Sequence, residues 1–143
     1  CAVGLTGYLV SAGIPALLLD ATRAHIASPT LFLLALNAFL LLVGCVMDIF
    51  SALVVVVPLV APLAAAYDVH PVHLGIIFVA NLELGYLTPP VGLNLFLASY
   101  RFKRPMLDVA RATLPMVAIL GLGVLLITYV PWLSLALLHA LGH

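Results

Sequence analysis

The stretch N81-L-E-L-G-Y-L-T-P-P-V-G-L-N-L95 lies within an apolar run that extends from residue 74 to 98. A segment of that length and hydropathy is expected to be one continuous helix crossing a bilayer, which takes about 20 residues. Pro89 and Pro90 forbid this. Neither has an amide hydrogen, and each ring crowds a carbonyl one turn earlier. The sequence therefore predicts two half-helices meeting at a break, with the carbonyls of Gly85 to Leu87 deprived of donors and free amides at a new start near Val91 to Leu93. A helix C-terminus offers partial negative charge and an N-terminus partial positive charge. Such a break suits a hard cation on one side and an anion on the other, as in the discontinuous helices of secondary transporters.

The side chains around the break point the same way. Asn81, Gly85 and Thr88 fall at i, i+4 and i+7, on one helical face. Gly92 removes bulk beside the break, and Asn94 adds a donor and an acceptor just beyond it. Glu83 points elsewhere and needs a partner or a proton, since an unpaired carboxylate inside a membrane is costly. A proline kink used only for packing is the plain alternative. Two prolines with flanking glycines and polar residues at helical spacing favour a binding site over that alternative.

The surrounding chain is 143 residues long, 66% hydrophobic and 7% charged, with a mean hydropathy of +1.33. So few charges could not solvate a water-soluble domain of this size. The reading is an all-α integral membrane protein. Net charge is zero, so no basic footprint for nucleic acid exists. Cys1 and Cys45 are too few for a disulfide framework or a thiolate metal site, and Cys45 reads as core. The chain opens at Cys1 in apolar sequence, so it reads as a piece of a longer polypeptide.

Five segments follow. Residues 1–30 form a transmembrane helix and loop. Residues 31–66 form a helical hairpin, because almost nothing polar separates the apolar legs 31–47 and 49–66. Its tip, residues 44–51, is expected to end inside the membrane, where non-helical backbone is tolerated only beside protein or water; the alternative is two ordinary spans joined by a tight buried turn. Residues 67–98 hold the discontinuous helix, 99–113 a charged connector, and 114–143 a final span with Tyr129 and Trp132 as an interfacial belt. Parity puts loops 20–30 and 67–73 on one face and 99–113 on the other. Arg101, Lys103, Arg104 and Arg111 make the connector cytoplasmic, against Arg23 alone in the two other loops. Residues 105–112 read as a short interfacial helix.

Other features read more plainly. Asp48 is either a turn cap or a site residue. His70 and His73 lack the further ligands a metal needs. Pro58 and Pro62 bend their helix without further chemistry, Met47 packs, and Gly121 and Gly123 read as a close helix–helix contact.

The stretches G44-C-V-M-D-I-F-S-A-L-V-V-V-V-P-L-V-A-P-L-A64, H70-P-V-H-L-G-I-I-F-V-A-N-L-E-L-G-Y-L-T-P-P-V-G-L-N-L-F-L-A-S99 and R104-P-M-L-D-V-A-R-A-T-L-P-M116 together resemble the large membrane subunit of TRAP (tripartite ATP-independent periplasmic) transporters. The resemblance covers residues 30 to 135, more loosely back to Tyr8. It implies a multi-pass protein of the bacterial inner membrane that imports organic acids such as C4-dicarboxylates or sialic acid. Sodium is the coupling ion and no other cofactor is implied. The implied partners are a periplasmic solute-binding protein, a small membrane subunit, and a first-repeat half of the large subunit that the chain lacks. The chain would be the second half of an inverted-repeat elevator, with a re-entrant hairpin and a discontinuous helix. By the same resemblance, backbone oxygens near Gly44, Gly85 and Val91 and the Thr88 hydroxyl hold sodium, while Asp48 and Asn94 lie near the substrate cavity. No enzymatic step is implied. The competing reading is a membrane assembly or anchoring module that uses the same glycines and prolines only for packing; a channel is disfavoured, because no ring of repeated polar positions suggests a pore.

Overall fold

The computed structural model describes residues 2–26 and 28–140. Cys1 and the C-terminal three residues lie outside them, as does the side chain of Arg23. Among the described residues there are eight helices and no strand: α1 (Ala2–Ser11), α2 (Ile14–His25), α3 (Pro29–Val46), α4 (Ile49–Ala66), α5 (Pro71–Gly85), α6 (Leu93–Phe102), α7 (Met106–Tyr129) and α8 (Pro131–Ala140). Three of them, α3, α4 and α7, are long and apolar enough to cross a membrane. At 1.5 Å per residue their 18, 18 and 24 residues span about 27, 27 and 36 Å.

Three helices build the core. Phe32, Leu36 and Leu40 of α3 meet Ala52, Val56 and Val60 of α4 and Leu74, Phe78 and Leu82 of α5. Each set repeats every four residues, the spacing that lines one helical face. The rest of the bundle is apolar outside as well as inside: Leu42, Phe50, Leu122 and Trp132 are all more than two-thirds exposed, at 67%, 77%, 68% and 69%. Exposed apolar surface of this kind is the expected exterior of a chain that meets lipid or further apolar helices.

Two tyrosines define one end of the bundle. The Tyr67 hydroxyl donates to the Ile26 carbonyl at 2.8 Å, and its ring stacks on Phe32 with centroids 4.3 Å apart. The Tyr129 hydroxyl donates to the Thr30 carbonyl at 3.3 Å. Ile26, Thr30, Tyr67 and the end of α7 therefore sit together. Helices α3 and α5 both run away from this end, parallel to one another, and α7 runs back towards it.

Several expected boundaries shift. The first segment is two helices, because Gly13 takes a left-handed conformation (φ 73°) between α1 and α2. The expected interfacial helix at 105–112 is the beginning of α7, which continues through Pro115. The final span stops at Tyr129, and Val130 separates it from α8. Pro58 and Pro62 sit inside an unbroken α4. Among the described residues Gly121 approaches the Leu84 side chain at ordinary contact distance and none lies within reach of Gly123, so the expected close glycine contact in α7 does not form among them. The tight contact is elsewhere: the α3 backbone lies close along α5 and much less so along α4.

Candidate functional site

The two interruptions of the helical pattern come together. Helix α3 ends at Val46, Met47 and Asp48 are extended, and α4 starts at Ile49. Asp48 caps the new helix: its carboxylate accepts the Ser51 amide at 2.9 Å and the Ser51 hydroxyl. A side chain in this position satisfies amides that the helix cannot.

The second interruption runs from Tyr86 to Gly92. Leu87 donates to Leu84 at 3.1 Å and Thr88 to Gly85 at 2.9 Å, so the last turn of α5 tightens to i+3 bonding before the prolines stop it. The Pro89–Pro90 peptide is cis. Gly92 turns the chain with a φ of 38° and opens α6. A side chain there would stand 2.8 Å from the Thr88 carbonyl oxygen and 3.0 Å from that of Tyr86, so glycine alone fits.

Each interruption completes the other. The Gly92 amide donates to the Cys45 carbonyl at 3.3 Å. The Tyr86 hydroxyl accepts the Ile49 amide at the start of α4. Underneath, α3 and α5 touch backbone to backbone: a Cβ at Gly85 would lie 2.6 Å from the carbonyl carbon of Gly44 and 2.7 Å from its Cα. A Cβ at Gly44 would lie 3.0 Å from the Leu82 Cα. Close approach of this kind needs small residues on both helices. Between the two interruptions lies a cleft of about 70 Å³, lined by Gly44, Cys45, Asp48, Tyr86, Val91 and Leu93 among others.

The expected site residues fall in four places. Gly44, Gly85, Asp48, Val91 and Gly92 converge on this junction. Asn94 is half-buried in the first turn of α6, and its amide donates to the Tyr86 carbonyl at 3.2 Å. Thr88 donates its hydroxyl to the Leu84 carbonyl at 2.9 Å and faces a separate pocket beside Pro89, Leu107 and Arg111. Asn81 is not at the junction. It is 2% exposed, and its amide group donates to Asn37 Oδ1 at 2.6 Å and to the Ile77 carbonyl at 2.8 Å. The expectation that the carbonyls of Gly85 to Leu87 lose their donors fails for two of them. The tightened turn supplies Gly85, and the fold-back of α6 supplies Tyr86.

Sequence reasoning missed Tyr86, the Cys45 carbonyl and Asn37. Only Asn37 left a signal, as the lone polar side chain in the apolar run 31–47. His70 and His73 do not pair: His70 caps α5 through the Val72 amide, while His73 is buried against Thr128. Glu83 is exposed on α5. Among the described residues no group of three or more histidine, cysteine, aspartate or glutamate side chains is placed to hold a metal.

Known sequences account for this architecture. The family described as "Tripartite ATP-independent periplasmic transporter, DctM component" matches residues 1–133. The C4-dicarboxylate TRAP transporter large permease protein DctM of Vibrio cholerae is 42% identical over 130 residues, which is 91% of this chain and 29% of that protein. Its namesake in Pseudomonas aeruginosa is 43% identical over 115 residues, 80% of this chain and 27% of that protein. The isethionate TRAP transporter permease protein DctMQ of Oleidesulfovibrio alaskensis is 40% identical over 99 residues, 69% of this chain and 16% of that protein. The chain thus spans less than a third of the length of these relatives, and no solved structure matches it significantly. With residues 1–133 matched, the chain belongs to the DctM component family of tripartite ATP-independent periplasmic transporters, a family of transporter permeases and not of enzymes.

Proposed function

We propose that this chain forms part of the large permease subunit of a sodium-coupled importer of small organic acids. The observation that carries the reading is the junction of the two interruptions, where Gly44 and Gly85 touch and the Cys45 carbonyl meets the Gly92 amide. Backbone oxygens packed without intervening side chains are hard ligands, the kind a small cation prefers. Sodium would be held by the carbonyls of Gly44, Gly85 and Val91; the Thr88 hydroxyl, which faces the neighbouring pocket in this structure, keeps lone pairs available while it donates to Leu84 and would join them on turning towards the junction. A cleft of about 70 Å³ has room for an ion with a water. The acid would lie next to it, near Asp48, Gly92 and Asn94, with its remaining contacts from other parts of the subunit.

In this reading α3 and α4 form a re-entrant hairpin with its tip at Met47–Asp48, and α5 and α6 are the halves of one discontinuous transmembrane helix. The pair is the second of two inverted repeats of an elevator. The segment carrying Arg101, Lys103, Arg104 and Arg111 is cytoplasmic, and the protein is multi-pass in the bacterial inner membrane. A periplasmic solute-binding protein delivers the acid, and a small membrane subunit braces the large one. The relatives' names point to C4-dicarboxylates first, with isethionate as a second acid; sialic acid is a further candidate on the family resemblance alone. Sodium binding orders tip and break together, because each lends the other a hydrogen bond.

The test is uptake of a labelled C4-dicarboxylate by proteoliposomes holding the complete large and small subunits, with the binding protein added. Uptake is expected to collapse when choline replaces sodium, and Thr88→Ala is expected to raise the sodium requirement. Uptake indifferent to sodium would overturn the reading.

A further inference from the structure

Seven residues before Gly44 on α3, and four before Gly85 on α5, two amides meet in the apolar interior. Asn81 donates to Asn37 Oδ1 at 2.6 Å. From α7, the Thr128 hydroxyl approaches the same oxygen at 3.2 Å while also reaching the Val124 carbonyl at 2.8 Å. The Asn37 amide group donates in turn to the Leu33 carbonyl at 2.7 Å. The Thr128 carbonyl lies 3.2 Å from His73 Nε2, so α7 is tied once to α3 and once to α5. All four side chains are buried, at 6%, 2%, 0% and 4% exposure for Asn37, Asn81, Thr128 and His73. Neither asparagine borders the cleft between the interruptions.

Burying this much polarity needs a reason. Between helices in lipid, apolar contact gives little preference for one register over another, because lipid tails are as apolar as leucine. The Gly44–Gly85 contact excludes registers that bring a side chain there, but it supplies no directional bond of its own. A hydrogen-bonded amide pair is directional, and a slip of one residue would take from Asn37 Oδ1 its donor on α5 and from Asn81 its acceptor on α3, in an apolar interior. Buried asparagines fix register between packed helices in this way. From Asn37 to Gly44 is two helical turns, or about 10 Å, so the amide pair and the glycine contact lie on the same face of α3.

We propose that Asn37, Asn81 and Thr128 are positioning residues: a polar clamp that sets the rotation and height of α3 against α5 and so delivers the Cys45 carbonyl to the Gly92 amide. Asn81 then acts through Asn37 and not on a ligand. The clamp influences sodium affinity without touching sodium. For its transport readout the inference rests on the sodium-coupled reading above, and a second readout does not.

The experiment uses the complete large subunit carrying Asn37→Leu, Asn81→Leu, Thr128→Val or Thr128→Ser. In reconstituted uptake, the sodium concentration for half-maximal rate is expected to rise by about three- to tenfold in the first three, the range one interhelical hydrogen bond supplies in a membrane. The preference among competing acids is expected to stay unchanged, Thr128→Ser to match the parent, and the Asn37→Leu/Asn81→Leu double variant to be no worse than either single one. Separately, spin labels at the exposed positions Phe50 and Leu97 report the distance from tip to α6 in detergent. That distribution is expected to broaden or shift in Asn37→Leu and Thr128→Val and to stay narrow in Thr128→Ser. The proposal is overturned if the distances and the sodium requirement of Asn37→Leu and Thr128→Val match the parent. It is also overturned if Asn81→Leu alone changes behaviour and does so by altering acid preference, which is the signature of a direct ligand. If the parent takes up acid without sodium, the sodium-coupled reading fails by itself, and the label distances still decide the clamp.

Discussion

The interruption between α3 and α4 and the one between α5 and α6 are built differently. The first is two residues long and largely closes itself, with Asp48 capping Ser51 and regular bonding resuming at once. The second is seven residues long and borrows: Gly92 needs the Cys45 carbonyl, and Gly85 needs the bare backbone of Gly44. The shorter one takes a single bond in return, from Ile49 to the Tyr86 hydroxyl. A turn that leans little on its neighbour beside one that leans on it heavily gives a junction in which disturbing the second costs the first one hydrogen bond, while disturbing the first removes both contacts that the second borrows.

The largest way to break that comparison is Gly85→Ala. Its methyl would meet backbone on α3, which cannot rotate away, so a loss of about 3 kcal/mol is expected, at the upper end for overpacking. Thermal unfolding of the purified complete subunit in detergent would read it. Gly92→Ala should follow at about 2 kcal/mol, combining a positive φ with two nearby carbonyls. Tyr86→Phe removes only the acceptor for Ile49 and should cost about 1 kcal/mol; hydrogen exchange is expected to rise at the Ile49 amide and remain as before at Ser51. Gly123→Ala, with open space around it, should shift stability by no more than about 0.5 kcal/mol. If Gly123→Ala proved as costly as Gly85→Ala, the placement of the close contact would be wrong.

Much of this was legible in the sequence, for reasons that can be named. Apolar runs give helices, and Pro89–Pro90 must stop one, so the break was readable from the missing amides alone. The shared face of Asn81 and Gly85 was also readable. Its occupant was not: Asn81 faces Asn37 and Gly85 faces Gly44, so that face belongs to α3. Periodicity says which residues look the same way but not what they look at. Thr88 sits past the last regular turn, where helical spacing no longer predicts direction. Gly121 and Gly123 misled for a related reason, since a glycine pair signals room for a neighbour without showing that one comes. Tyr86 left no signal, because its role depends on a hydroxyl reaching an amide 37 positions earlier in the chain.

The bare contact between Gly44 and Gly85 has a consequence for how such a protein should be surveyed. Replacing residues one at a time by alanine ordinarily measures subtraction, and it will find Asn37 and Tyr86 because something is taken away. At the glycines the same replacement is an addition, and the damage reports crowding. A survey that ranks positions by lost chemistry alone would therefore misname the most demanding place in this chain, where what matters is that nothing is there.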